Sequence, residues 1–273
     1  MILSLASIAA CSQDDGHGRI YEKPGYSFSY NLAVPSGTWK LPGSLTEISG
    51  ISAIDADRLA CVQDEKGIIY IFSLPGVKVE SEVVFKDEGD FEDIVIINDD
   101  AWVLKSNGTL YHVQDFLKKS IPAVNKYPTV LSGRNDTEGL AYDPVHNALL
   151  IACKEEPFPE GIDATGSRAV YRFSLEAVTL NPDPFLLINL EQYSHHKNFK
   201  PSGIAVQPVT GNIFMIGSVG KLLLVLSGKG EMLAIIQLNP KIFPQPEGIC
   251  FGPDGALYIS NEGAGGTGTL LKF

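Results

Sequence analysis

The chain is predicted to be all-β: a five-bladed β-propeller of four-stranded antiparallel blades, with an N-terminal strand closing the last blade. Three observations carry this. A short anchor of Ser or Glu, then Gly or Asp, then Ile or Leu, recurs five times along the 273 residues. The copies are Ser49-Gly50-Ile51, Glu92-Asp93-Ile94, Glu138-Gly139-Leu140, Ser202-Gly203-Ile204 and Glu247-Gly248-Ile249. Successive copies lie 43, 46, 64 and 45 residues apart, one period with a single insertion, in the range of a propeller blade. Between anchors run short, β-branched apolar stretches separated by Gly, Pro, Asn and Asp, the pattern of strands and tight turns rather than helices.

Taken in order, each anchor opens an inner strand: ISAI, IVII, LAYD, IAVQ and ICFG. A turn rich in Asp, Asn, Pro or Gly follows, then a second apolar run: RLACVQ, AWVLKS, ALLIACK, NIFMIGS and ALYISN. The third strands read IIYIFSL, GTLYHV, AVYRFSL, LLLVLSG and GTLLKF. Four outer strands precede the next anchor: ESEVVF, PTVLS, FLLINL and EMLAIIQL. After Glu247 only three strands remain, so the segment from Tyr26 to Pro42 is expected to supply the fourth and remove an open edge. A six-bladed ring is the alternative. It needs a degenerate blade inside the 64-residue interval, where GIDATGSR and LEQYSHHKNFKP read as loops.

The N-terminus reads MILSLASIAACSQDD, a short apolar run and two small residues before Cys11. This is similar to the lipobox of bacterial lipoproteins, although the leader lacks the basic start of a secretory signal. The expected layout is a signal over 1–11, a flexible tether over 12–25 and one propeller domain over 26–273. Lipidation at Cys11 would place the protein at the bacterial cell envelope, on the periplasmic or surface face of the outer membrane. It is expected to be monomeric and to meet a ligand or an envelope protein, touching membrane only through lipid. A net charge of −11 with no basic stripe argues against nucleic acid. Cys61, Cys153 and Cys250 sit inside apolar runs without zinc-like spacing and read as core residues.

E-x-SGIS at Glu47 to Ser52, Gln63-Asp64-Glu65, Phe91 to Ile94, the stretch Asn135 to Pro144, Lys154 to Pro157 and QPEGICFGPDGALYISNE form a co-occurring set. With P-SGIAVQP it resembles the SdiA-regulated family of bacterial envelope proteins, relatives of the NHL-type propellers. The resemblance spans Leu41 to Phe273 and implies the fold, but no settled activity. One departure is Gly217-Ser218-Val219, where the family tends to carry acids.

In a propeller the residue before each inner strand sits at the rim of the central channel. Ser49, Glu92, Glu138, Ser202 and Glu247 are therefore expected to form a ring at one mouth. The ends of the second strands add Asp64, Glu65, Lys105, Lys154, Glu155, Asn261 and Glu262. Crowded carboxylates take up protons or need a cation. One reading is a divalent cation, Ca²⁺ by preference, held by Glu92, Glu138, Glu247 and Asn261. Another is internal neutralisation by Lys105 and Lys154, with the anchors only holding turns. The third is catalysis: propeller lactonases and esterases use calcium at this mouth, and five-bladed glycosidases use paired acids. No G-x-S-x-G occurs, which disfavours a serine hydrolase. The expected function is binding of a ligand or partner at the carboxylate-ringed mouth, with a calcium-dependent lactonase or esterase as the alternative and a glycosidase behind it.

Overall fold

The computed structural model describes residues 18–119, 121–158, 166–193 and 198–273. Cys11, His17, His195 and His196 lie outside them, as does much of the loop between the third blade's second and third strands. The chain opens with two isolated strands, β1 (Gly18–Glu22) and β2 (Gly37–Lys40). Blade I then comprises β3 (Ile48–Ala53), β4 (Arg58–Gln63), β5 (Lys66–Ser73) and β6 (Lys78–Glu88). Blade II holds β7 (Phe91–Ile97), β8 (Asp100–Lys105), β9 (Leu110–Gln114) and β10 (Ala123–Tyr127). In blade III, β11 (Thr137–Asp143) and β12 (Ala148–Cys153) are followed by β13 (Ser167–Ser174), whose outer edge pairs with both β14 (Thr179–Leu180) and β15 (Leu186–Asn189). Blade IV runs through β16 (Gly203–Val206), β17 (Ile213–Gly217), β18 (Leu222–Leu226) and β19 (Met232–Gln237). Blade V ends the chain with β20 (Pro246–Phe251), β21 (Leu257–Asn261) and β22 (Thr269–Lys272).

All five sheets are antiparallel, and five blades close the ring. The long interval contributes loops and a split outer strand, not a sixth blade. As expected, the N-terminal segment completes blade V: β2 pairs with β22, from Gly37 opposite Lys272 to Lys40 opposite Thr269. Two expectations are corrected. The tether expected over 12–25 is ordered in its second part, because Gly18–Glu22 pair with β19 and give blade IV a fifth strand. The outer strand of blade II is Ala123–Tyr127 rather than PTVLS. Pro128 brings no N–H to a ladder, and Thr129 instead donates to Gly108 O (3.0 Å) while Leu131 is buried.

The core is partitioned. Five apolar clusters each fill one interface between neighbouring blades. This explains why second strands are apolar throughout: every residue of β12 is buried, since both its faces meet another blade. Outer strands such as β6 are mostly exposed and charged, which blunts an open edge. Cys61, Cys153 and Cys250 are buried and unpaired within this packing.

Candidate functional site

A bulge prepares the mouth. In blades I, II, III and V the register of the inner ladder shifts at the anchor, between Ile48 and Gly50, Phe91 and Asp93, Thr137 and Gly139, and Pro246 and Ile249. An extra residue in one strand drops out of the ladder and its side chain is re-aimed. Each bulged stretch contains the anchor.

The two serine anchors and the three glutamates then part ways. Ser49 Oγ donates to Phe91 O and Ser202 Oγ to Pro246 O, both at 2.7 Å. Each serine thus ties its blade to the next, and neither is free for a ligand. Glu92 and Glu138 are nine-tenths buried and Glu247 is half-buried. Lys154, at the end of β12, donates to Glu138 Oε1 at 2.6 Å and lies 3.7 Å from Asp136 Oδ2. The cation among these acids is therefore internal.

Electrostatics couples the group across three blades. Burial, reinforced by Glu138 and Asp90, pushes the Glu92 carboxyl up to about 10 despite Lys154. Glu247 is pushed up to about 8 by burial, Glu138 and Glu262, with Lys154 and a Ser218 hydrogen bond pulling the other way. Burial also raises Glu138, with Lys154 opposing. Burial works against the Lys154 charge too, but Glu138, Asp136 and Glu92 outweigh it and hold the ammonium above its usual range. The site thus holds the Lys154–Glu138 contact beside two glutamates whose carboxyls are pushed towards the protonated form.

A second group of acids adjoins it. Glu262 is pushed up to about 7 by burial, a hydrogen bond to Glu47 and the nearby Asp64, and it also accepts from Gln245. Asp64 is half-buried and raised by burial, Glu47 and Glu65. Of the other expected mouth residues, Glu65 is exposed and Glu155 is engaged by Lys200. Lys105 is half-buried opposite Phe91, and its carbonyl accepts from Thr137 Oγ1 (2.9 Å).

The expected metal quartet does not assemble. Asn261 is 1% exposed, and its Nδ2 donates to Ile242 O (3.2 Å) and Thr269 Oγ1 (3.1 Å). Its Oδ1 is buried without a hydrogen-bond partner. Of the other three, Glu138 is held by Lys154. Among the described residues, no group of three or more His, Cys, Asp or Glu is arranged to hold a metal ion.

Sequence reading missed the floor of the site. Asp93 takes the slot that glycine fills in the other four copies. It is 1% exposed and accepts from Ile94 N at 2.8 Å and Leu140 N at 2.7 Å, bracing blade II against blade III. Around the same level, glycines let the inner strands close on one another. A Cβ on Gly50 would lie 2.5 Å from Asp93 Cα, and one on Gly203 would lie 2.4 Å from Glu247 O. One on Gly248 would meet Ile51 N at 3.0 Å. The mouth is thus a bowl floored by backbone. Asp90 and Asp136 were also missed, although each precedes its glutamate by two residues, a D-x-E spacing visible in the chain.

The fold and site define a five-bladed β-propeller with an acid-lined bowl at one end of its ring. The chain belongs to the SdiA-regulated family, whose model matches residues 28–264. No curated protein matches the sequence. Among solved structures it is similar to a gluconolactonase from Xanthomonas campestris, with 14% identity, 82% of this chain and 71% of that one covered, and a TM-score of 0.54. It is also similar to a virginiamycin B lyase from Staphylococcus aureus, at 11% identity, 87% and 99% coverage and a TM-score of 0.51. A nidogen/laminin complex shares 13% identity, with 78% and 72% coverage and a TM-score of 0.51. At these identities the likeness is one of fold alone.

Proposed function

We propose that this protein is a lipid-anchored envelope receptor whose acidic bowl takes the positively charged group of a small ligand or partner segment. The observation that carries the reading is the convergence of Glu92, Glu138 and Glu247 from three blades on a single internal cation, Lys154. Perturbed, clustered carboxyls of this kind concentrate at functional sites. An entering amine would displace the proton of Glu247, whose carboxyl is poised near 8, so binding should release protons.

Calorimetry with 1,5-diaminopentane and a lysine-containing peptide, in buffers of different ionisation enthalpy, tests this. Binding with proton release, weakened at least tenfold in Glu138→Gln and Glu247→Gln, is the expected result. No binding by the wild type would remove the reading, and stoichiometric calcium in purified protein would replace it with a metal site. The anchor rests on the small-residue pair before Cys11. Cys11→Ala should release the protein from membranes, and continued attachment would refute lipidation there.

A second reading is a lactone or ester hydrolase. It is favoured by one observation, a protonated Glu247 beside the Lys154–Glu138 ion pair, which offers an acid and a base in one site. The gluconolactonase and lyase activities belong to those neighbours and carry no weight at such identities. Turnover of a lactone, ester or glycoside that is lost in Glu247→Gln would favour the enzyme over the receptor.

A further inference from the structure

The end of the ring opposite the bowl holds a cavity of about 290 Å³ bounded by the inner strands of all five blades. Its inner wall begins one residue beyond the anchor glycines, at Ile51, Ile94, Leu140, Ile204 and Ile249. The close approaches at Gly50, Gly203 and Gly248 separate it from the glutamates. It therefore opens away from the acids, towards Tyr142, Phe251 and the turn residues Pro144, Pro208 and Pro253.

We infer that this lower channel is a binding site for a straight alkyl or acyl chain of medium length. Three observations lead there. The closed end is aliphatic, with one branched side chain from each blade. Several polar groups on that wall already have partners. Ile96 N donates to Ser52 Oγ at 3.0 Å, and Ile94 N and Leu140 N donate to Asp93. The third observation is shape. The lining spans two to four residue steps per blade, about 10 Å of depth at the usual strand rise. An apolar cavity of ~150 Å³ stays dry and takes a benzene-sized guest; this one has about twice that volume. A largely apolar space closed at its inner end suits a chain of about eight to twelve carbons, entering tail first with its polar head at the tyrosine-and-proline rim.

The site is independent of the acidic bowl, and so is its test. Ligand-observed NMR and calorimetry on the full chain use 1-octanol, with cyclo-octanol as a wide isomer of similar composition and 1-butanol as a short one. Expected is saturable binding of 1-octanol, weaker binding of the other two, and unchanged binding in Glu247→Gln. Ala53 and Val206 line the cavity and are both half-buried. Ala53→Phe and Val206→Phe should each lower octanol affinity at least tenfold while retaining a cooperative melt. Absence of saturable octanol binding, equal binding of cyclo-octanol, or undiminished affinity in a folded filling variant would each overturn the assignment. If both variants fail to fold, the chain-length series on the wild type decides. Affinity that climbs from butanol to octanol supports the site, and affinity indifferent to length refutes it.

Discussion

The ammonium of Lys154 lies 2.6 Å from Glu138 Oε1, joining the end of β12 to the bulge of β11 inside one blade. Side-chain exposures of 31% and 10% make this a partly buried pair. Removing one partner strands the other. Lys154→Met should cost about 2 kcal/mol at neutral pH, less than the ~3–5 kcal/mol of a fully buried pair because the lysine keeps some hydration. Adding Glu138→Gln should recover most of the loss, measured by urea denaturation as a double-mutant cycle. Additive losses would show that the two side chains do not act as a pair.

Glu92 predicts a pH dependence. Its carboxyl holds a proton in the folded state up to about 10 and gives it up near 4.5 when unfolded. Here the folded state binds more protons, so the stability is fully present below about pH 4.5 and declines as pH climbs towards 10. Glu247 adds to the decline between 4.5 and about 8. Glu92→Gln should therefore raise the melting temperature at pH 8, change it little at pH 4, and flatten the slope between. A slope as steep as the wild type's would mean that Glu92 is not the source.

The backbone floor predicts intolerance to a single methyl. Gly203→Ala puts a Cβ 2.4 Å from the Glu247 carbonyl, which cannot rotate away. A loss of about 2–3 kcal/mol is expected, at the upper end for overpacking. Asp93→Ala should cost a similar amount, since it orphans two buried N–H groups at about 1–3 kcal/mol each. Thermal melts of both variants, with Gly43→Ala as an unhindered control, check this.

β1 covers the edge of β19 through pairings from Gly18–Gln237 to Glu22–Ala234. Deleting residues up to 25 should leave the five-bladed ring intact but expose that edge. Light scattering should then show concentration-dependent association absent from the longer chain, because unpaired strand edges template pairing. A truncated protein that stays monomeric would show that β1 has no such covering role.

The blades were legible because each second strand is largely buried and mostly apolar, and because the bulge recurs with the anchor in four of the five. β1 was not, since GRIYE is short and half charged and gains its order only from a distant partner. Ser49, Ser202 and the three glutamates share one place in the repeat and were read as one ring. Their division into blade ties and bowl acids depends on how far each side chain reaches. A serine hydroxyl meets the neighbouring carbonyl, whereas a glutamate extends past it. Asn261 lies at the mouth end of β21, where its Nδ2 bonds to Ile242 and Thr269 and its Oδ1 is left without a partner, a division between the two amide atoms that no spacing in the chain reveals. In the long interval, Phe199 and Tyr193 pack against the ring. Phe199 is 3% exposed, and Tyr193 lies 4.8 Å from the ring of Tyr21.

The pairing of β2 with β22 has a temporal consequence. Gly37 and Lys272 stand at opposite ends of the chain, and Tyr30 donates to Gly255 O across 225 residues. During synthesis β2, which finishes blade V, is made before blade I and waits until β22 has been made. β1 waits nearly as long, for β19. Folding must then end with ring closure, a step dominated by distant contacts and correspondingly slow. Until that step blade V lacks its outer strand, and β1 and β2 pass the synthesis of blades I to III unpaired.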